Sequence, residues 1–206
     1  ESGAPGGSQS AGESRVFRHA HADSRQTDLA IEARNGWRRW EEEFDYQLIS
    51  DDGAMVIGDQ GLARLRRYAE TPGAEVREIT PDEVRSTLPI LAEYEGPALI
   101  DEEGGSIRTG LALAHLIAAV GPNLVSEKVE SVSPRSGGGV ELTTPSGLRT
   151  FDGVVVAVGA ATVALASKAG VEIPVTPRAC LRLTMPLADS QPADRLACLQ
   201  DSSGVF

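Results

Sequence analysis

The sequence predicts an α/β fold, α+β when taken over the whole chain. Three observations predict it. The β-branched run Val154-Val155-Val156-Ala157-Val158 ends in Gly159 and feeds Ala160 to Ala169, a strand, a tight turn and a helix in succession. A run of this kind suits a parallel strand covered on both faces, and such joins are where α/β folds bind ligands. Two other segments carry apolar residues at helical spacing, and short extended runs broken by Gly, Pro and Asp fill much of the rest.

The elements follow in chain order. Residues 1 to 14 hold four glycines, four serines and one proline. Composition reads them as a flexible tail or linker, the alternative being a loop ordered by a ligand. From Thr27, Leu29, Ala33, Trp37, Trp40 and Phe44 step along one helix face. Gln47 to Ser50 and Ala54 to Gly58 read as two strands of a hairpin about Asp51-Asp52-Gly53. A short helix is expected near Leu62 to Glu70. Thr80-Pro81-Asp82-Glu83 starts another, with a threonine N-cap, proline at the first position and a glutamate that closes a capping box. Leu88-Pro89 ends it.

Residues 97 to 108 read as extended. Thr109 caps a helix to Val120, with Leu113, Leu116, Ile117 and Val120 on its apolar side, and Gly121-Pro122 stops it. Strands are expected at Asn123 to Ser126, Val129 to Pro134, Val140 to Thr144 and Leu148 to Phe151, with turns at Gly137-Gly138-Gly139 and Pro145-Ser146-Gly147. Ile173 to Met185 reads as extended.

Composition narrows the function. The 206 residues make one large domain or two small ones, and 41% hydrophobic content is enough for a core. Nineteen basic against thirty acidic side chains give a net charge of −11, which argues against nucleic acid as the main partner. Cys180 and Cys198 are too few for a disulfide scaffold and lack metal-ligand spacing, so no metal is expected. No run approaches the ~20 apolar residues of a membrane span, and no signal peptide is visible. A cytoplasmic protein is expected. Both ends read as the middle of something larger.

Candidate chemistry concentrates near the start. Gly6-Gly7-Ser8-Gln9-Ser10-Ala11-Gly12 supplies unhindered amides and hydroxyls that suit a diphosphate. Arg15 and Arg18 bracket the apolar Val16-Phe17 pair, and a guanidinium fork pairs a carboxylate in two places. The alternative is a flexible tail followed by surface arginines. Asp101-Glu102-Glu103-Gly104-Gly105 reads as a solvated turn rather than a metal site. His115 reads as a packed or surface histidine.

The stretch Gly7 to His21, GSQSAGESRVFRHAH, resembles the Gly-Ser-(Ser/His)-His-Gly-(Asp/Glu)-(Thr/Ser)-Arg-Ile-Ile-Arg-His-Ala-Tyr segment of the monomeric sarcosine oxidase and N-methyltryptophan oxidase group. Those are FAD-dependent oxidoreductases of the D-amino-acid-oxidase type. The helix with Trp37 and Trp40, the Asp51-Asp52-Gly53 turn and the Val-Val-Ala-Val-Gly-Ala strand end fall where that group would put them.

The resemblance implies a Rossmann-type FAD-binding domain interleaved with an antiparallel β-rich substrate domain, truncated at both ends. Residues 1–44 and 101–172 would belong to the first, 45–100 and 173–206 to the second. Glu1 would hold the adenosine ribose. Gly7, Ser8, Ser14 and Arg15 would line the flavin, and the Val129 backbone would meet the adenine. Gly159 and Ala160 would pack near the cofactor. Arg18, with Arg15, forms the candidate catalytic pair, Arg18 taking the carboxylate of an amino-acid substrate.

The implied reaction oxidises the C–N bond of a small amine or (N-methyl) amino acid to an imine, with O2 as acceptor. A flavin dehydrogenase, a tailoring oxidase and a non-catalytic flavoprotein subunit are the alternatives. The sequence departs from the group at Ser10 and Ala11, where a histidine is missing, and at His21, where the group has tyrosine. By the resemblance, the glycine fingerprint would precede Glu1. The active-site tyrosine, lysine and histidine and the flavin-tethering cysteine would follow Phe206.

Overall fold

The computed structural model describes residues 5–7, 9–21, 23–58, 66, 71–176 and 196–201. Within them the order is β1 (Ser14–Phe17), α1 (Ser24–Phe44), β2 (Ala54–Ile57), β3 (Val76–Ile79), α2 (Pro81–Thr87), β4 (Ala98–Asp101), β5 (Gly105–Arg108), α3 (Thr109–Val120), β6 (Ser131–Pro134), β7 (Val140–Thr144), β8 (Gly147–Phe151), α4 (Thr162–Lys168) and β9 (Cys198–Asp201). Contacts divide the chain into two units, Glu1–Ala11 with Leu116–Thr184, and Gly12–His115 with Met185–Phe206.

The second unit holds two sheets. One has the order β3-β4-β2-β9, antiparallel except for the parallel β2–β9 pair. Every residue of β2 and β4 is buried, as expected of central strands. Met55, Ile57, Ile79, Val84, Leu88, Ala98 and Ile100 pack together as its core. α2 covers part of that core through Val84. It starts as the sequence predicts: the Thr80 hydroxyl accepts the Glu83 N–H, and the Glu83 carboxylate accepts the Thr80 N–H at 2.9 Å.

The other sheet pairs β1 with β5, Arg15 opposite Ile107 and Phe17 opposite Gly105. Here the structure departs from the predicted hairpin. Residues 47–50 do not pair with 54–58. Ile49 bridges Ile107, the Arg108 N–H donates to Leu48 O at 2.8 Å and the Ser50 N–H donates to Ser106 O at 3.0 Å. The cause lies in α1. The Glu41 carboxylate accepts the N–H groups of Leu48 and Ile49, both at 2.9 Å, which holds the segment against the helix. Both edges of β2 are already taken by β4 and β9. Close packing also explains Gly105, where an added Cβ would overlap the Ser50 carbonyl oxygen.

α1 exists as predicted, but its packed face is rotated. Leu29 is 64% exposed, and Thr27 and Ala30 are buried instead. Ala30 meets Phe17 and Ile49, with Trp37 and Ile107 at the margin. Arg34 and Glu41, paired at 3.1 Å, share this face. A charged pair can sit there because Glu41 is satisfied by the Leu48 and Ile49 N–H groups it holds. Trp40 stacks on Phe44, and Phe44 stacks on His115 at 4.5 Å. Thr109 lies inside α3 rather than capping it, and its hydroxyl donates to Gly12 O at 2.6 Å.

The first unit holds the antiparallel meander β6-β7-β8 and α4. The predicted strand at 123–126 is not formed. Gly121–Asn123 make a 3₁₀ turn, and 124–130 run outside any strand. The predicted buried parallel strand at 154–158 is also not formed, and Val155 is 90% exposed. A strand buried on both faces needs neighbours, and no described strand pairs alongside this one. One 3₁₀ turn, Gly159–Ala161, then leads into α4. The helix expected near 62–70, and the expected extended run beyond residue 176, lie outside the described residues apart from helical Arg66.

Candidate cofactor and substrate residues

In the first unit a cleft of about 610 Å³ is lined by Leu124, Val125, Lys128, Val129, Val158 and Leu165, among others. Val129 is one of the residues lining this cleft. Glu127, at the same cleft, accepts from the Ser146 hydroxyl and pairs with Arg149 at 2.9 Å. Its carboxyl is held below its ordinary value, chiefly by the hydrogen bond from Ser146. Gly159 and Ala160 are exposed, and the Ala160 N–H donates to the Gln9 side-chain oxygen at 2.6 Å. Gly159 has φ +58°, and a Cβ there would overlap the same Gln9 oxygen. Glycine serves both demands. Gly7 is exposed, and Glu1 and Ser8 lie outside the described residues.

In the second unit, Ser14 and Arg15 open β1, and Arg15 Nη1 donates to Ser14 O at 2.7 Å. Arg18 follows the strand and is half-buried. Burial pushes its guanidinium down from its ordinary value, and the nearby Asp101 charge works the other way. His19 is fully buried beside Asp101, itself 1% exposed. Asp101 Oδ2 accepts the His19 backbone N–H, and Oδ1 lies 3.1 Å from His19 Nδ1. Among the described residues, His19 Nε2 has no hydrogen-bond partner.

Most other placed arginines are paired. Arg25, Arg39 and Arg135, like Arg18, lack a side-chain partner among the described residues but are exposed, whereas Arg18 is half-buried. Arg34 pairs with Glu41, Arg38 with Glu103, Arg77 with Glu83 and Glu102, Arg85 with Asp82 and Glu95, and Arg149 with Glu127. Among the described residues, no hydrogen bond or ion pair engages the Arg18 guanidinium. The acid nearest in effect, Asp101, spends both oxygens on His19. A half-buried cation with an unclaimed fork is suited to an anion from outside the chain.

Sequence reasoning missed two participants. Asp101 was read as part of a solvated turn, yet it is the buried end of β4. The apolar run Ala98-Leu99-Ile100 directly before it is the signal that places it in a core strand. Gln9 was read only as one residue of a glycine-serine loop, and no local pattern announces a partner 151 positions away.

The family described as DAO, FAD dependent oxidoreductase, matches residues 1–205. The chain belongs to the DAO family. Monomeric sarcosine oxidase from Arthrobacter sp. (strain TE1826) is 23% identical to this DAO chain over 175 residues, covering 81% of it and 45% of that protein. Among solved structures, L-proline dehydrogenase from P. horikoshii matches with a TM-score of 0.68 at 17% identity, over 81% of this chain and 46% of that one. Glycine oxidase from Geobacillus kaustophilus matches at 0.60 and 22%, over 79% and 48%. These likenesses show a shared fold, the mixed α/β fold of DAO-type oxidoreductases. The DAO chain spans about half the length of the relatives it matches.

The family's cofactor is FAD, and the first unit fits it. The cleft at Val129 falls within the range of small-molecule sites, about 300–1,000 Å³. Its walls are mainly apolar, with a few polar groups from Ser126, Glu127 and Lys128. Among the described residues, no helix of this DAO chain is long and apolar enough to cross a membrane.

Proposed function

We propose that the protein containing this chain oxidises the C–N bond of a small amine or (N-methyl) amino acid to an imine, with O2 as the final acceptor, in the cytoplasm. The observation that carries the reading is Arg18, half-buried and unclaimed by any described acid. FAD, when bound, supplies the acceptor for the hydride equivalent. The chain supplies the positions. Arg18 binds the carboxylate of the substrate through its planar fork and so orients the amine end. Its partial burial strengthens that pairing by removing competing water.

The cofactor assignments follow the family likeness. Val129 meets the adenine, Glu1 the ribose, and Gly7, Ser8, Ser14 and Arg15 the flavin, with Gly159 and Ala160 packed close by. Residues 1–44 and 101–172 then form the FAD-binding part, and 45–100 with 173–206 the substrate part. The cleft at Val129 supports the first of these assignments.

The test is a visible absorption spectrum of the purified full-length protein, then anaerobic addition of amino acids and amines. Flavin bands that bleach with an amino acid and return with oxygen support the reading. Return with a dye but not with oxygen moves it to a dehydrogenase. A colourless protein that takes up no added FAD contradicts it.

A further inference from the structure

We propose that Asp101 is a positioning residue that aims Arg18, acting through the peptide group between Arg18 and His19. The inference rests on the reading of Arg18 as the carboxylate binder and adds to it. That peptide group is held through its N–H, which lies on His19 and donates to Asp101 Oδ2. The second Asp101 oxygen faces His19 Nδ1 at 3.1 Å, so one carboxylate grips both backbone and side chain of the residue after Arg18.

Three observations separate this clasp from ordinary packing. Asp101 is buried at the end of β4, and His19 is fully buried, so neither can yield to solvent. A buried carboxylate would normally be expected to pair with the nearest arginine. Here its oxygens go to His19, and the guanidinium is left with a fixed origin and a free fork. Nor does β1 pairing reach this far, because its ladder ends at Phe17 opposite Gly105. Beyond Phe17, Asp101 takes the N–H of this peptide.

The sign of the effect distinguishes the roles. If Asp101 acted only through its charge, removing it would favour an anion at Arg18. If it positions Arg18, removing it weakens anion binding.

The experiment uses the full-length protein with its flavin and acetate as the probe, its Kd read from the perturbed flavin spectrum. Asp101→Ala is expected to raise that Kd about tenfold. Asp101→Asn, which keeps an acceptor for the His19 N–H, recovers most of the loss. In an Arg18→Ala background, where acetate binding is already weak, neither change has a further effect. An unchanged or lower Kd in Asp101→Ala overturns the proposal while leaving Arg18 in place. Unchanged acetate binding in Arg18→Ala alone overturns the reading on which it rests. If Asp101→Ala does not fold, Asp101→Ser, too short to hold both the His19 N–H and its ring, takes its place: a Kd raised severalfold supports the proposal, and an unchanged one overturns it.

Discussion

Gln9 and Ala160 lie 151 positions apart in sequence, yet the Gln9 side-chain oxygen accepts the Ala160 N–H at 2.6 Å. The bond ties the glycine- and serine-rich start of the chain to the turn that begins α4. Gly159, at φ +58°, leaves room for that oxygen. Gln9→Ala removes one hydrogen bond, worth about 1 kcal/mol, and is expected to weaken FAD binding about fivefold. Gly159→Ala adds left-handed strain of roughly 1–2 kcal/mol and displaces the Gln9 side chain, so its loss is larger. Titration of the apoprotein with FAD, followed by flavin fluorescence, measures both.

The core of the second unit gives a packing prediction. Met55 is 0% exposed among Ile79, Val84, Leu88 and Ile100, whereas Leu29 on α1 is 64% exposed. Met55→Ala is expected to cost about 2–5 kcal/mol. Leu29→Ser is expected to stay within about 0.5 kcal/mol. Urea unfolding separates them, and equal losses would mean that the helix face read from the sequence is the packed one after all.

His21 gives a pH prediction. Burial first, and the neighbouring Arg18 charge second, push its imidazole below its ordinary value of 6.5, against the bond to the Arg18 backbone. The unfolded chain therefore takes up a proton that the folded chain refuses. The stability tied to His21 is complete above pH 6.5 and declines as pH falls through 6.5 towards the lower folded value. Between pH 8 and 5.5 the wild type is expected to lose more stability than His21→Phe. Equal losses in the two proteins would contradict this.

Glu83 gives a second, at the α2 cap. The Thr80 backbone N–H first, then Arg77 and the Thr80 hydroxyl, hold its carboxyl down at about 2, against an ordinary 4.5. The folded pKa is depressed, so the contribution is present above 4.5 and is lost as pH falls through about 2. An NMR titration of the Glu83 carboxyl carbon tests it. A midpoint at 4.5 would mean that the capping box does not form. Thr80→Ala is expected to cost about 1 kcal/mol through the lost cap.

Legibility in the sequence followed the range of the forces involved. The α2 cap was readable because Thr80, Pro81 and Glu83 act on one another within four residues. The glycine turn and the β7–β8 hairpin were readable for the same reason. The hairpin expected at 47–58 was not, because Glu41 and β5 claim residues 48 to 50 from elsewhere in the chain. Periodicity found α1 but chose Leu29 over Ala30, since it could not foresee that Arg34 and Glu41 would be satisfied on the packed face. Arg18 stands out in the sequence only through its motif. Its partners were not legible, because Asp101 reaches the next residue across 82 positions.

The central claim is that Arg18 receives a substrate carboxylate. Its most direct measurement compares KM in the wild type and Arg18→Ala, for an amino-acid substrate and for the matching amine without its carboxylate. A desolvated charge pair of about 2–5 kcal/mol predicts that KM for the amino acid rises by roughly 30-fold or more, while the plain amine is little affected. The same KM for the amino acid in both proteins would contradict the account, and would place Arg18 among the surface charges.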